Sequence, residues 1–230
     1  MRLGTWNCQT GLAANWEAIE ALNADVLAIQ ECEPGIRAQV ESHDGWACEF
    51  QPGRWHKGLA VLARSPYEIE AREPAEPFCI STAISGPARF RFVGFWAMTE
   101  KDVGYTYTRQ ATRVIDQLPD DGVPTVLAGD FNASKSQGHL RNVQRLAARG
   151  LVSAYHAHHC VDHSAVEADP TSYYLWQESR RYHMDFVFVP AEWRIHAVEV
   201  GGFKDYSRPG GMSDHVPIVV DVSEEAIAHG

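Results

Sequence analysis

Basic residues are few in this sequence. The 230 residues include 20 Lys and Arg against 30 Asp and Glu, which gives a formal net charge of −10 at pH 7. Proteins that bind nucleic acid tightly without reading its sequence usually present a basic surface. This composition therefore disfavours tight, processive binding to DNA or RNA. An acidic protein can still act on phosphates when a bound divalent cation supplies the local positive charge.

Paired cysteines and long apolar runs are also missing. The five cysteines are an odd number without a Cys-x-x-Cys spacing, which favours reduced thiols over a disulfide framework or a zinc site. No run of residues is long enough and apolar enough to span a bilayer. The first residues open into a strand-like segment and lack the apolar core of a signal peptide, so we expect a cytoplasmic protein.

Apolar strand-like runs alternate with helical patterns along the chain, without repeats or low-complexity linkers. With 45% hydrophobic residues, we expect one domain over residues 1–230. The strand-like runs are 2–6, 25–30, 58–63, 90–96, 124–128, 183–189 and 216–222, and the helical patterns are 15–22, 108–118 and 139–149. Both hairpin-like and helical connections occur, which predicts mixed sheets covered by helices in an α/β or α+β sandwich of layers.

Polar residues lie where the predicted strands begin or end. Asp130 and Asn132 follow the apolar run 124–128, within Gly129-Asp-Phe-Asn. Other strands are flanked by Asn7, Glu31, Asp185 and Asp214-His215. Open α/β sheets place their chemistry at strand ends, so we expect these residues to form one site.

The residue types indicate a hard metal ion. Asn7, Glu31 and Asp214 offer only oxygen ligands, which suit Mg²⁺ or Mn²⁺ rather than zinc. Asp130 and Asn132 alternate along an extended segment, so both can face one side. An Asp there can take a proton from water, and an Asn amide can donate to a phosphoryl oxygen or hold the nucleophile. The alternative is an Asx-turn, in which both side chains bond local backbone.

His215 needs a carboxylate partner from elsewhere in the chain. Its neighbour Asp214 would point the other way along an extended segment, so Asp185 is the best candidate. Such a pair raises the population of the imidazolium. The imidazolium can donate to a non-bridging phosphate oxygen or take part in proton transfer.

Five short motifs, taken in order, resemble the endonuclease/exonuclease/phosphatase superfamily of metal-dependent phosphohydrolases, which includes deoxyribonuclease I and exonuclease III. The motifs are Thr5-Trp-Asn7, Gln30-Glu31, Gly129-Asp-Phe-Asn132, His183-Met-Asp185-Phe and Ser213-Asp-His215, and the similarity runs from residue 3 to about residue 222. The resemblance implies a four-layer α/β/β/α sandwich of the deoxyribonuclease I type, with the site at one end of the paired sheets.

The resemblance also implies a role for each matched residue. Glu31 would be the main ligand of Mg²⁺ or Mn²⁺, helped by Asn7 and Asp214. Asp130 would activate or position the attacking water, and Asn132 would contact the scissile phosphate. His215, oriented by Asp185, would stabilise the charge of the transition state during in-line hydrolysis.

One departure from the family concerns the leaving group. Many nuclease-type members have His near the end of the strand 89–97, where this chain has Trp96. Indole can donate one hydrogen bond but cannot act as an acid or base. The proton must then come from Tyr105, Tyr107, His215 or metal-bound water. Trp96 itself is either plain packing or a platform on which a base stacks.

Candidate substrate contacts lie in three further segments. The basic and aromatic loop 54–57 can meet a phosphate while Trp55 stacks on a base, although a solvated turn is the alternative. The residues considered for substrate binding are Arg54, Lys57, Trp96, Tyr107, Arg109 and Trp176. The tract Tyr155-His-Ala-His-His159 with His163 is interpreted as a polar loop rather than a second metal site.

Three functions remain open at this point. The first is a Mg²⁺-dependent phosphodiesterase of nuclease type, with a phosphate ester such as nucleic acid as its partner. The second is a phosphatase that acts on a small-molecule or lipid phosphate, which the acidic balance and the lack of an evident DNA-binding insertion motivate. The third is a non-catalytic binding domain, for which Trp96 is the only support.

Overall fold

The computed structural model describes residues 1–12, 15–72, 76–98, 101, 104–164, 168–207 and 210–224. The first sheet contains β1 (Arg2–Asn7), β2 (Val26–Cys32), β3 (Trp46–Pro52), β4 (Gly58–Arg64), β13 (Arg194–Val200) and β14 (Ile218–Ser223). The second contains β5 (Glu68–Arg72), β6 (Cys79–Ser85), β7 (Phe90–Trp96), β8 (Thr125–Asp130), β9 (Leu151–Ser153) and β12 (Asp185–Pro190). A separate hairpin joins β10 (Ser172–Tyr173) to β11 (Arg181–Tyr182).

The helices are short and lie between these strands in the chain. They are α1 (Trp16–Ala21), α2 (Ile36–Glu41), α3 (Tyr107–Asp116), α4 (Gln137–Ala148) and α5 (Ala154–His159). The patterns at 15–22, 108–118 and 139–149 therefore predicted helices to within two residues. The tract 155–159, interpreted as a polar loop, lies instead in α5, and that prediction is wrong. In the described part of the chain, no helix has the length and apolar character that a bilayer crossing requires.

Both sheets are mixed, and this brings the ends of central strands together. The strand order is β13-β14-β1-β2-β4-β3 in one sheet and β5-β6-β7-β8-β12-β9 in the other. β1 runs parallel to β2, and β7 runs parallel to β8. Parallel neighbours end at the same edge of a sheet, so the carboxyl ends of β1 and β2 meet, as do those of β7 and β8.

Three apolar clusters define four layers. Alternate residues of both sheets, such as Val61 of β4 and Val126 of β8, pack together between the sheets. The opposite face of the first sheet packs on α1 and α2, through residues such as Ile29 and Ile36. The opposite face of the second sheet packs on α3 and α4. The arrangement is the four-layer α/β/β/α sandwich that the motifs implied.

Candidate active site

Strand periodicity aims two carboxylates into the space between the sheets. Along β8, Val126 and Ala128 face the inter-sheet core, and Asp130 follows with the same period of two. Along β12, Asp185 has the same parity as Val187, which also faces that core. Asp130 pairs directly with Asp185 in the antiparallel register of the two strands. The two carboxyl groups are therefore neighbours at one end of the second sheet.

Glu31 reaches the same place through a distortion of β2. In a regular strand Glu31 would share the helix-covered face with Leu27 and Ile29. The register shifts between Gln30 and Cys32, as in a β-bulge, and Glu31 has φ +59°. Bulges change the direction of a side chain next to functional sites, and this one directs the carboxylate towards the edge of the sheet.

Asn7 connects the two sheets at this edge. Its Nδ2 donates to Glu31 Oε1 at 3.2 Å and to Asp130 Oδ2 at 3.1 Å. Asn7 is 1% exposed, and its contact with Asp130 is buried, whereas its contact with Glu31 is partly buried. The other Glu31 oxygen, Oε2, accepts from Nζ of Lys57, the residue before β4. The motif residues of β1, β2 and β8 thus meet through one amide.

Asp130 and Asn132 form a tight local turn. The Asn132 backbone N–H donates to Asp130 Oδ1 at 2.8 Å, and Asn132 Nδ2 donates to Asp130 Oδ2 at 3.0 Å and to Ala97 O at 2.9 Å. Asn132 has φ +47°, a value that Asn tolerates better than most residues. The Asx-turn considered from the sequence is present, and it also holds both side chains on one side. Burial raises the pKa of Asp130 to about 7, against the opposing charge of His215.

Asp185 is the partner of His215, so that predicted contact is confirmed. His215 Nδ1 lies 2.9 Å from Asp185 Oδ2, and the two residues are 7% and 0% exposed. Burial by itself lowers the pKa of His215, but the charges of Asp185 and Asp130 outweigh it and raise the pKa to about 10. The two carboxylates thus favour the imidazolium form of His215.

Ser172 is a site residue that the sequence patterns missed. Its Oγ lies 3.2 Å from His215 Nε2, and a backbone bridge pairs the two residues. Ser213 fixes the other side of the segment, because its Oγ donates to Asn7 O at 2.6 Å and accepts from the His215 N–H at 3.0 Å. Ser172 precedes His215 by 43 residues, and no local motif marks it.

Two sets of residues compete as a cation site. Among the described residues, ligand atoms of Asp130, Asp185 and His215 all lie within 4.8 Å of one another. Both ring nitrogens of His215 already have partners in the protein, however, because Nδ1 lies 2.9 Å from Asp185 Oδ2 and Nε2 lies 3.2 Å from Ser172 Oγ. Glu31 and Asp214 fit a divalent cation better: burial raises the pKa of Asp214, and the negative charge of Glu31 adds to that rise against the opposing charge of His215. A hard cation relieves such repulsion and prefers oxygen ligands.

The predicted substrate contacts have different surroundings. Lys57 lies in the site, and the loop before it exposes 65% of Trp55. Trp96 is 3% exposed and packs edge-to-face on Phe78, with ring centroids 5.6 Å apart. Its indole has no free face on which a base can stack, so the packing role replaces the substrate-contact role.

Three other predicted contacts lie on α3 and on the aromatic loop. Tyr107 packs into the cluster between the second sheet and α3. The Arg109 guanidinium lies over the Tyr105 ring, 5.3 Å from its centroid. Trp176 is half-buried with φ +55° in the loop between β10 and β11. The guanidinium of Arg109 thus packs on its own helix-side neighbour Tyr105.

The histidine tract packs with other histidines instead of forming a loop. His156 of α5 stacks on His163 with centroids 3.7 Å apart and an interplanar angle of 9°. His139 and His183 complete this imidazole cluster beside Phe186. Burial lowers the pKa of His156 to about 2 and that of His139 and His163 to about 4. Within the described residues these rings pack face to face or edge to face, and their nitrogens do not converge as the atoms of the Asp130 cluster do.

Comparisons with known proteins agree with this geometry. The sequence model of the Endonuclease/Exonuclease/phosphatase family matches residues 4–215. A search of the curated proteins found no match. The backbone is similar to that of an AP endonuclease from Archaeoglobus fulgidus, with a TM-score of 0.73 and 14% identity over 96% of this chain and 98% of the other.

Two further solved structures share the fold. The human Nocturnin catalytic domain with bound sulfate has a TM-score of 0.72 and 16% identity, over 97% of this chain and 93% of that one. The 3′ phosphatase NExo from Neisseria, bound to a product DNA hairpin, has a TM-score of 0.69 and 18% identity, over 97% of this chain and 99% of that one. At these identities the likeness establishes the fold.

Proposed function

Because this chain belongs to the endonuclease/exonuclease/phosphatase family of metal-dependent phosphoesterases, we propose that it is a Mg²⁺- or Mn²⁺-dependent phosphodiesterase of nuclease type. The observation that carries the proposal is the meeting of two functional groups at one edge of the sandwich. Asn7 joins Glu31 to Asp130, and Asp185 holds His215 beside Asp130. Each group supplies one requirement of in-line phosphoester hydrolysis.

Glu31, Asn7 and Asp214 would hold the cation, which when bound neutralises charge on the phosphate. Asp130 accepts the proton of the attacking water. Its pKa of about 7 suits a base that works near neutral pH. Asn132 fixes the direction of that carboxylate through the two hydrogen bonds of the Asx-turn, and its amide can turn to a phosphoryl oxygen when substrate is present.

His215 would stabilise the negative charge that develops on the phosphate in the transition state. Its Nδ1 donates to Asp185, and its Nε2–H, which lies 3.2 Å from Ser172 Oγ, would turn from Ser172 to an oxygen of the transition state. Of the protein groups considered for the leaving-group proton, Tyr105 lies beneath the guanidinium of Arg109 and Tyr107 packs in the outer cluster. Among these protein groups we therefore assign the protonation of the leaving group to His215.

A phosphatase acting on a small or lipid phosphate is the second candidate. The net charge of −10 favours it, because a basic surface that would attract a polyanion is absent from the composition. The non-catalytic binding domain is the third candidate: Trp96, buried as packing, supplies no acid or base where many family members have His.

A substrate panel separates the candidates. Plasmid DNA, oligonucleotides and a set of phosphomonoesters are incubated with Mg²⁺, Mn²⁺ or EDTA. The enzymes are wild type, Asp130→Asn and the control Asp116→Asn, whose carboxylate lies on the surface beside Arg145. We expect metal-dependent cleavage of DNA that Asp130→Asn loses and Asp116→Asn keeps. Cleavage of monoesters alone would establish the phosphatase, and no activity on any substrate would contradict both.

A further inference from the structure

We propose that Lys57 competes with the divalent cation for Glu31, so that cation binding transfers the Lys57 ammonium from Glu31 to a phosphate group of the substrate. The inference rests on the proposed function, because it concerns the same cation and the same substrate. It adds a residue that couples the two binding events.

Lys57 occupies the carboxylate on which a cation would bind. Its Nζ donates to Glu31 Oε2, while Asn7 Nδ2 donates to Glu31 Oε1 at 3.2 Å. Both oxygens of the carboxylate therefore already have a donor. A divalent ion on either oxygen would lie within a few ångströms of the ammonium, and like charges at that distance repel strongly.

The turn that carries Lys57 is fixed, so the response to a cation falls to the side chain. Gly53 N donates to Lys57 O at 2.8 Å, and Lys57 N donates to Arg54 O at 3.0 Å. The next residue, Gly58, pairs with Cys32 on the far side of the β2 bulge. The Lys57 backbone is thereby held beside Glu31, whereas its four-carbon stem can rotate.

Both partners of the ion pair can be reached from solvent. The side chains of Lys57 and Glu31 are 26% and 20% exposed. A cation can therefore approach Glu31, and a displaced ammonium has open space at the mouth of the site. A phosphate that contacts the cation would offer the displaced ammonium a negative charge close to Glu31.

If Lys57 competes with the cation, removing its charge should raise the affinity for the cation, whereas removing a residue that only supports the structure of the site should not. Without the Lys57 ammonium, Glu31 Oε2 loses the positive charge that it now contacts, and a divalent cation on that carboxylate meets no like charge and binds more tightly. For one unit charge removed from this distance we expect an affinity increase of about tenfold. Phosphate affinity in the presence of the cation should move the other way, because the ammonium that would meet the phosphate is gone.

Calorimetry on metal-stripped protein tests the inference without turnover. Mg²⁺ is titrated into wild type, Lys57→Met, Lys57→Gln and the control Lys204→Met, which removes one exposed positive charge elsewhere. We expect both Lys57 variants to bind Mg²⁺ about tenfold more tightly and the control to match wild type. Inorganic phosphate, titrated into the Mg²⁺-loaded proteins, should bind more weakly to the Lys57 variants alone.

The outcomes distinguish this inference from the proposed function. Unchanged or weaker Mg²⁺ binding by folded Lys57 variants would overturn the competition, even if wild type binds Mg²⁺ through Glu31. Unchanged phosphate binding would overturn the transfer of the ammonium to phosphate. Mg²⁺ binding that is absent from wild type, or that survives Glu31→Gln, would contradict the proposed cation site itself.

Discussion

Replacing Asp185 with Asn removes the charge that faces His215 while it preserves the size of the side chain. The pair is joined at 2.9 Å, and Asp185 is fully buried. Removing one partner of a buried ion pair typically destabilises the charged form of the other by about 3–5 kcal/mol. One pKa unit corresponds to about 1.4 kcal/mol, so the pKa of His215 should fall by roughly 2–4 units.

The pH profile of turnover should change as a result. In the wild type, Asp130 must be ionised and His215 protonated, so activity rises near the Asp130 pKa of about 7 and falls near the His215 pKa of about 10. In Asp185→Asn the pH at which activity falls moves down towards the pH at which activity rises, so the pH range of full activity becomes narrow. We expect the maximum rate to fall by about 100-fold or more. The two limits belong to the coupled cluster rather than to isolated groups.

A pH titration of ¹⁵N-labelled histidine side chains by NMR measures the cause directly, with His215→Gln used to identify the signal. Asp116→Asn serves as the control, because its carboxylate is exposed on the surface. A His215 signal that still titrates near pH 10 in Asp185→Asn would refute the reasoning. A wild-type signal near the ordinary pKa of 6.5 would do the same.

Three further predictions concern stability and reactivity. A Cβ at Gly129 would overlap the carbonyl oxygen of Phe95, so Gly129→Ala should lower the free energy of unfolding, measured in urea, by about 3 kcal/mol or more. An unchanged midpoint of urea unfolding would contradict this and show that β7 and β8 can separate. Burial lowers the pKa of His156 and His139 below the unfolded value of 6.5, so below that pH the unfolded chain binds more protons than the folded one. The free energy of unfolding should therefore be at its full value above pH 6.5 and fall below it by up to about 1.4 kcal/mol per pH unit for each such histidine. Thermal melts of His156→Phe should show a smaller loss of stability at low pH. Cys160 is exposed while the other four thiols are buried, so a thiol reagent should label one cysteine rapidly and the rest only on unfolding.

The strand patterns in the sequence predicted part of the candidate site. The strand-like runs 124–128 and 183–189 put Asp130 and Asp185 among the strand-end residues expected to form one site, and the two residues pair directly in the second sheet. The opposite directions of adjacent residues excluded Asp214 as the partner of His215 and left Asp185, which the hydrogen bond confirms. These inferences needed only local geometry and the order of the motifs.

The remainder depends on contacts between distant parts of the chain. The same periodicity would have turned Glu31 towards the helices, and only the bulge with φ +59° brings it into the site. The contacts of Lys57 with Glu31 and of Ser172 with His215 span 26 and 43 residues. The sequence 155–159 lacked a helical apolar pattern, yet it folds as α5 because Tyr155 and His156 pack against other buried rings. Tertiary packing overrode local preference there.

The most direct test of the central claim is the rate of oligonucleotide cleavage by wild type, Glu31→Gln and the surface control Glu192→Gln, each measured with EDTA and then with increasing Mg²⁺. We predict that EDTA abolishes cleavage, that Mg²⁺ restores it in wild type and Glu192→Gln, and that Glu31→Gln remains about 100-fold or more slower at every Mg²⁺ concentration. Cleavage that resists EDTA, or a Glu31→Gln enzyme as fast as wild type, would contradict a metal-dependent hydrolase centred on Glu31.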